Sequence, residues 1–437
     1  MGSTAPLLTD LASQVSQNAE IIQKFLEKNN IADLSFDVDS SSSFPVDPEN
    51  RDIYAARFAL IDSAKQIQDL VTGPDDTIKW QTMNYKHITA AYHVIYHFKI
   101  AQAVPDKGSI TFPELAKATG VHETIIARVI RALIPGKIFA EPKSGQIAHT
   151  PMSKLLARDK YIQAWVGHNT EDIYVSEARF VDAIEKFGFT GEPSQTGFNL
   201  AFNTNDTYWE YAAKHPQLQA RFSDSMIAAA GKGVGDAKHL ATLYPWEKLQ
   251  KGSTIVDIGG SVGHVSIAIA ERFPHLNFVI QDLPDVEANA HENIPEEMKS
   301  RMSFQPHNFF DPQPVKAAEV YILRQILHDW SDQYSIKILK QILAAMSSDS
   351  RLIIMDSVLP EPNTIPAPLE QFVRSLDLQM LTVLNACERS VQDWESLLER
   401  VDPAFKIEGI TRPDASQHAI LEIRKHDKDG RPNQIIA

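Results

Sequence analysis

A single cysteine, Cys387, in 437 residues excludes an internal disulfide and a cysteine-built metal cluster. Basic residues are the minority: 42 Lys and Arg stand against 56 Asp and Glu, for a net charge of −14. A dedicated nucleic-acid binder would instead carry a basic stripe. No apolar run reaches the length of a transmembrane helix. The N-terminus has no basic region followed by an apolar core, so no signal peptide is expected. MGSTAP also places Pro6 where a myristoylation signal needs Ser or Thr. A cytoplasmic location is the default expectation. The length suffices for two or three packed units.

Against those absences, residues 254–282 stand out: TIVDIGGSVGHVSIAIAERFPHLNFVIQD. TIVDI has the composition of a parallel strand covered on both faces. Gly259, Gly260 and Gly263 follow, allowing a sharp turn and close approach of a ligand. Val265, Ile267, Ala268, Ile269 and Phe273 give a helix its apolar face, and Phe278, Val279 and Ile280 form the next strand. Asp282 ends that strand, where an acid can accept hydrogen bonds from ribose hydroxyls. The pattern is a nucleoside-binding βαβ unit. The dinucleotide fingerprint G-x-G-x-x-G fits in no register. Asp257, two residues before the first glycine, suits a cationic amino-acid moiety better than a pyrophosphate, which favours S-adenosylmethionine. The other reading is a glycine-rich turn in an unrelated α/β protein.

A second buried strand, AEVYILR, runs into the polar stop His328-Asp329-Trp330-Ser331-Asp332. A helix follows, with Ser331 as N-cap, Asp332 in its first turn and Ile336, Leu339, Ile342 and Leu343 as its buried stripe. In an open α/β sheet ligands sit outside the carboxyl ends of the strands, so His328 falls at the useful edge. A lone His after a strand is usually structural; this placement argues for a general base. Asp356 ends the apolar strand RLIIMD and points to the same edge, unless it merely caps a loop. Glu388 is its companion candidate, unless it pairs at the surface with Arg389 or Arg400.

The remaining chain carries less chemistry. Residues 6–28 and 52–72 are expected to be helices, joined by the Ser/Pro/Asp-rich linker 37–51. Residues 80–155 resemble a winged-helix unit. It comprises a short helix with Leu115 inward and a turn at Gly120, then a helix burying Ile125, Ile126, Val129, Ile130 and Leu133. A hairpin turning at Lys143-Ser144-Gly145 completes it. The rival reading, a DNA-binding regulator, has only Arg128 and Arg131 on its would-be recognition helix. Residues 190–245 offer apolar surface for an acceptor, including Phe202, Trp209, Phe222 and Met226, with Trp165 and His168 as weaker additions; any of them could be plain core. FKIEGITRP and HAILEIRK, around a DASQ turn, read as closing antiparallel strands.

Taken in order, GGSVGHVSIAIAERFPHLNFVIQDLP, HNFF, ILRQILHDWSD and NACERS resemble the fungal members of the plant-type small-molecule O-methyltransferase family over residues 80–437. The resemblance implies an α/β fold: a Rossmann-like doubly wound methyltransferase sheet, with an N-terminal, mostly helical, winged-helix-like dimerisation domain. It divides the chain into a helical leader (1–75), that dimerisation domain (76–190) and an S-adenosylmethionine-binding domain with acceptor-pocket helices (191–437). It places the cofactor's glycine loop on Asp257, Gly259 and Gly260, its ribose acid on Asp282, its adenine-flanking pair on Asn308 and Phe309, and a basic neighbour on Arg324. His328 becomes the catalytic base, Asp356 and Glu388 its orienting acids, and Phe222 and Met226 acceptor contacts, which Trp209 joins on its apolar character alone. Asn308 departs from the Asp common in relatives, though an amide oxygen still accepts.

Methyl transfer to oxygen needs a nucleophile held in line that loses its proton as the bond forms, and imidazole suits that role near neutrality. The expected activity is S-adenosylmethionine-dependent O-methylation of a small aromatic or polyketide-like secondary metabolite. The expected assembly is a homodimer with no metal, nucleic acid or membrane partner. The alternative is an enzyme of this fold that catalyses dehydration or a pericyclic reaction with the cofactor as a spectator.

Overall fold

The computed structural model describes residues 7–46, 50–230, 238–412 and 418–426. The chain forms two compact units. The first takes Met1–Ala178, Trp209–Ala229 and Pro366–Leu369; the second takes Arg179–Tyr208, Ala230–Ile365 and Glu370–Ala437.

In the first unit, helices Leu8–Lys28 and Arg51–Thr72 pack through Ile22, Leu26, Ile53 and Ala56. Helix Phe112–Thr119 starts where Thr111 and Glu114 cap each other reciprocally and stops at Gly120, whose φ of +72° few other residues adopt. Helix Glu123–Leu133 buries Ile126, Ile130 and Leu133. Ile125, expected inside, is 51% exposed, and Val129 is only half-buried. The reason is angular: Ile125 lies one residue, about 100°, off the stripe that 126, 130 and 133 share. Strands β1 (Ile110–Thr111), β2 (Phe139–Lys143) and β3 (Gln146–His149) form an antiparallel sheet in the order β1-β3-β2, with the hairpin turn at Ser144-Gly145.

The second unit is built on seven strands in the order β6-β5-β4-β7-β8-β10-β9. These are β4 (Thr254–Ile258), β5 (Asn277–Asp282), β6 (Met302–Pro306), β7 (Val320–Arg324), β8 (Arg351–Ser357), β9 (Phe405–Thr411) and β10 (His418–Lys425). β4 to β8 run parallel, and β10 is antiparallel to both β8 and β9. The DASQ turn between β9 and β10 lies outside the described residues.

Strand alternation explains the double cover. Ile255, Ile322 and Ile353 pack with Val265 and Ile269 of helix His264–Arg272. Val256, Tyr321, Leu323 and Leu352 face the other way, toward Ile338, Leu339 and Ile342 of helix Asp332–Leu343 and Trp394 of helix Val391–Val401. The strand order reverses between β4 and β7, which opens a crevice at their carboxyl ends.

Candidate active site

At the end of β4, backbone amides of Gly259 and Gly260 donate to the Gln281 carbonyl at 2.8 and 3.0 Å, locking the loop onto β5. A Cβ on Gly260 would meet the Asp257 carboxyl carbon at 2.8 Å, and one on Gly259 would meet Ile326 at 2.4 Å. Only glycine fits this cradle. Asp257 itself is buried and accepts from the Ser266 hydroxyl at 2.7 Å. Burial outweighs that bond and pushes its carboxyl up to about 6.

Asp282 sits at the end of β5, accepting from the Ser261 amide and from the Leu283 amide, both at 2.8 Å. Its burial raises the carboxyl above the usual range. Two fixed amides hold it rigid while leaving lone pairs for ribose hydroxyls. Asn308 accepts from the Phe310 amide through Oδ1 at 3.0 Å, so that oxygen keeps one lone pair for an incoming donor. Phe309, half-buried, lies with its ring 5.9 Å from that of Trp330. Arg324 ends β7, paired with Met355 of β8. The glycine cradle and a rigid acid at the neighbouring strand end fit a nucleoside bearing a cationic amino-acid arm.

After β7 the chain turns through Gln325, at φ +52°, and Leu327 plugs the core at 0% exposure. A short 3-10 turn, Leu327–Asp329, then presents His328. Nδ1 of His328 lies 2.8 Å from Oε1 of Glu388, and Nε2 lies 3.5 Å from Oδ1 of Asp329. An ionised carboxylate only accepts, so Nδ1 donates to Glu388 and the tautomer is fixed. Burial opposes charge on the imidazole, but Asp329 and Glu388 outweigh it and push His328 up to about 10. Burial pushes Asp329 up to about 6 and Asp356 up to about 7.

Asp356 makes no hydrogen bond to His328; both its oxygens are buried with no hydrogen-bond partner among the described residues. It acts on the histidine through charge alone. Glu388 does not pair with Arg389 or Arg400, which both hold Asp332 instead. Ser331 is the N-cap of the following helix, but its hydroxyl donates to the Gly191 carbonyl rather than capping. Trp209 and Phe222 belong to the first unit, where their rings meet edge-on at 5.3 Å; His168 meets Phe222 at 5.6 Å, and Met226 is half-buried on the same helix as Phe222.

Sequence reasoning misses three contributors. Asp329 reads there only as part of a polar stop, although its adjacency to His328 is the available signal. Arg389, 1% exposed, donates to the carbonyls of Leu327 and Trp330 at 2.7 and 2.8 Å and to Asp332 at 2.9 Å, tying the Glu388 segment to the His328 turn. Asp377 accepts from the Glu388 amide at 2.9 Å and carries no local signal at all.

An O-methyltransferase domain model matches residues 186–402. The chain is 32% identical over 430 residues to the O-methyltransferase pgmB of Aspergillus terreus, covering 97% of each chain. Among solved structures, OxaC aligns with a TM-score of 0.77 at 23% identity, over 96% of this chain and 98% of that one. A pericyclic reaction enzyme aligns at 0.71 and 21% identity over 95% of this chain and 100% of that one, which shows a shared fold. The chain belongs to the family of S-adenosylmethionine-dependent O-methyltransferases of fungal secondary metabolism.

Proposed function

We propose that this enzyme methylates a hydroxyl, phenolic in character, of a small aromatic or polyketide-like metabolite, with His328 as the general base. The observation that carries this reading is the 2.8 Å contact from His328 Nδ1 to the buried Glu388, at the carboxyl edge of the sheet. Glu388 fixes the ring through Nδ1, and neutral Nε2 takes the acceptor hydroxyl's proton as its oxygen displaces the sulfur from the methyl group. The cofactor supplies a methyl group on a sulfonium, open to displacement by an oxygen. Asp282 holds the ribose hydroxyls, Asn308 and Phe309 flank the adenine, and Asp257, Gly259, Gly260 and Arg324 shape the amino-acid end.

A histidine with a carboxylate-raised pKa accepts a proton from a phenol, itself near 10, at little cost. Dehydration or pericyclic chemistry is not favoured, because a relative above 30% identity over nearly the whole chain is an O-methyltransferase, while the pericyclic enzyme shares only 21%. The chain acts as a homodimer in this reading, supported by the exposed apolar residues Leu70, Val71, Ile78, Trp80 and Met83. The test is mass spectrometry after incubation with methyl-labelled cofactor and a panel of phenolic polyketides. We expect S-adenosylhomocysteine and a labelled methyl ether in equal amounts; a changed product without S-adenosylhomocysteine would refute methyl transfer.

A further inference from the structure

A second cluster of chemically capable side chains lies in the first unit, on helix Pro74–His97. His93 and His97 are four residues apart and share one face of that helix. Facing them is Glu171, from the π-helical turn His168–Ile173. Oε1 of Glu171 lies 3.0 Å from Nδ1 of His97 and 3.7 Å from Nε2 of His93, and all three atoms fall within 4.8 Å of one another. We propose that His93, His97 and Glu171 bind a divalent transition-metal ion of the zinc class.

Bonds of about 2.0–2.2 Å at a tetrahedral angle put neighbouring ligand atoms about 3.3 Å apart, so the observed spacings bracket what a metal needs. Two imidazoles and one carboxylate are also the donor set that zinc, nickel and copper prefer over magnesium or calcium. Arg221 orients Glu171 as a ligand, because its Nη1 donates to the other carboxylate oxygen at 2.9 Å and leaves Oε1 turned to the histidines. Arg221 also holds Asp172 through two bonds of 3.0 and 2.5 Å. Asp172 is occupied by Arg221 and by His168, whose Nδ1 lies 3.1 Å away, so Oε1 of Glu171 is the carboxylate oxygen left facing His93 and His97. The ligand helices are pinned by close packing, since a Cβ on Gly167 would meet Tyr96, between the two histidines in sequence, at 2.3 Å. A π-turn inside a helix often marks a functional site, and here it carries both acids. His97 is more than half exposed, so an ion can enter and keep a water.

The test is calorimetric titration of the untagged full chain with zinc chloride, compared with His93→Gln, His97→Gln and the control His87→Gln. His87 is exposed six residues earlier on the same helix. We expect one zinc per wild-type chain, affinity weakened at least about tenfold in each ligand variant, and no change in the control. Because both ligand histidines are at least a third exposed, the variants are expected to keep the wild-type melting temperature without metal. Absence of stoichiometric zinc binding by the wild type, or equal binding by the ligand variants, would overturn the proposal.

Discussion

Asp356 has both oxygens buried and no hydrogen-bond partner among the described residues, an arrangement that costs about 1–3 kcal/mol and more for a charge. Such a group persists where another charge needs it, and His328 is that charge. Asp356→Leu, of similar shape and without a polar atom to leave unpaired, is therefore expected to stabilise the cofactor-free protein at pH 8 by roughly 1–3 kcal/mol, read as a rise in melting temperature. A drop would show that the carboxylate is held by favourable contacts instead. Asp282 makes the opposite case: its two backbone bonds fix it for a partner. Asp282→Ala should weaken cofactor affinity by about 1.5 kcal/mol or more, because bonds to an ionised acceptor are the stronger kind. Calorimetry finding equal affinity would remove the ribose assignment.

At the scale of elements, β4, β5, β7 and β8 each deliver one acid or base to the same edge, because parallel strands all end on one side. That much is legible in the sequence: apolar runs bounded by glycine or by a polar stop mark each strand, and Asp257, Asp282, Arg324 and Asp356 lie at strand ends by simple counting. The link from His328 to Glu388 spans 60 residues and rests on resemblance, since no periodicity connects them. Arg389 is illegible for the same reason: two of its partners are carbonyls, which carry no sequence signature, and its acid, Asp332, lies 57 residues away. Ile125 shows the other limit, where an apolar run does not say which side of a helix faces in. Arg389→Met should destabilise the protein by about 3 kcal/mol and lower turnover, since it frees the carbonyls and acid that hold the His328 turn. Arg389→Lys should recover little, because an ammonium cannot span the same fork. Turnover unchanged in Arg389→Met would separate that clamp from the chemistry.

Across the whole molecule, several buried groups bind protons more tightly folded than unfolded. His328 moves from near 6.5 to about 10, so its contribution to stability is complete below 6.5 and is lost as pH rises through 10. Asp356, raised to about 7, loses its contribution between about 4 and 7 by the same sign. The melting temperature should therefore fall from pH 6 to pH 10, and scanning calorimetry showing a rise would contradict the arrangement of charge at the site. The same raised pKa means the imidazole must first shed its proton, so kcat/KM for a phenolic acceptor should climb between pH 7 and 9. The most direct measurement is the pre-steady-state rate of methyl transfer by His328→Ala beside its calorimetric affinity for S-adenosylmethionine. A rate lowered about 10²–10⁴-fold with affinity unchanged is the expected result. A near wild-type rate, or lost cofactor binding, would contradict His328 as the base.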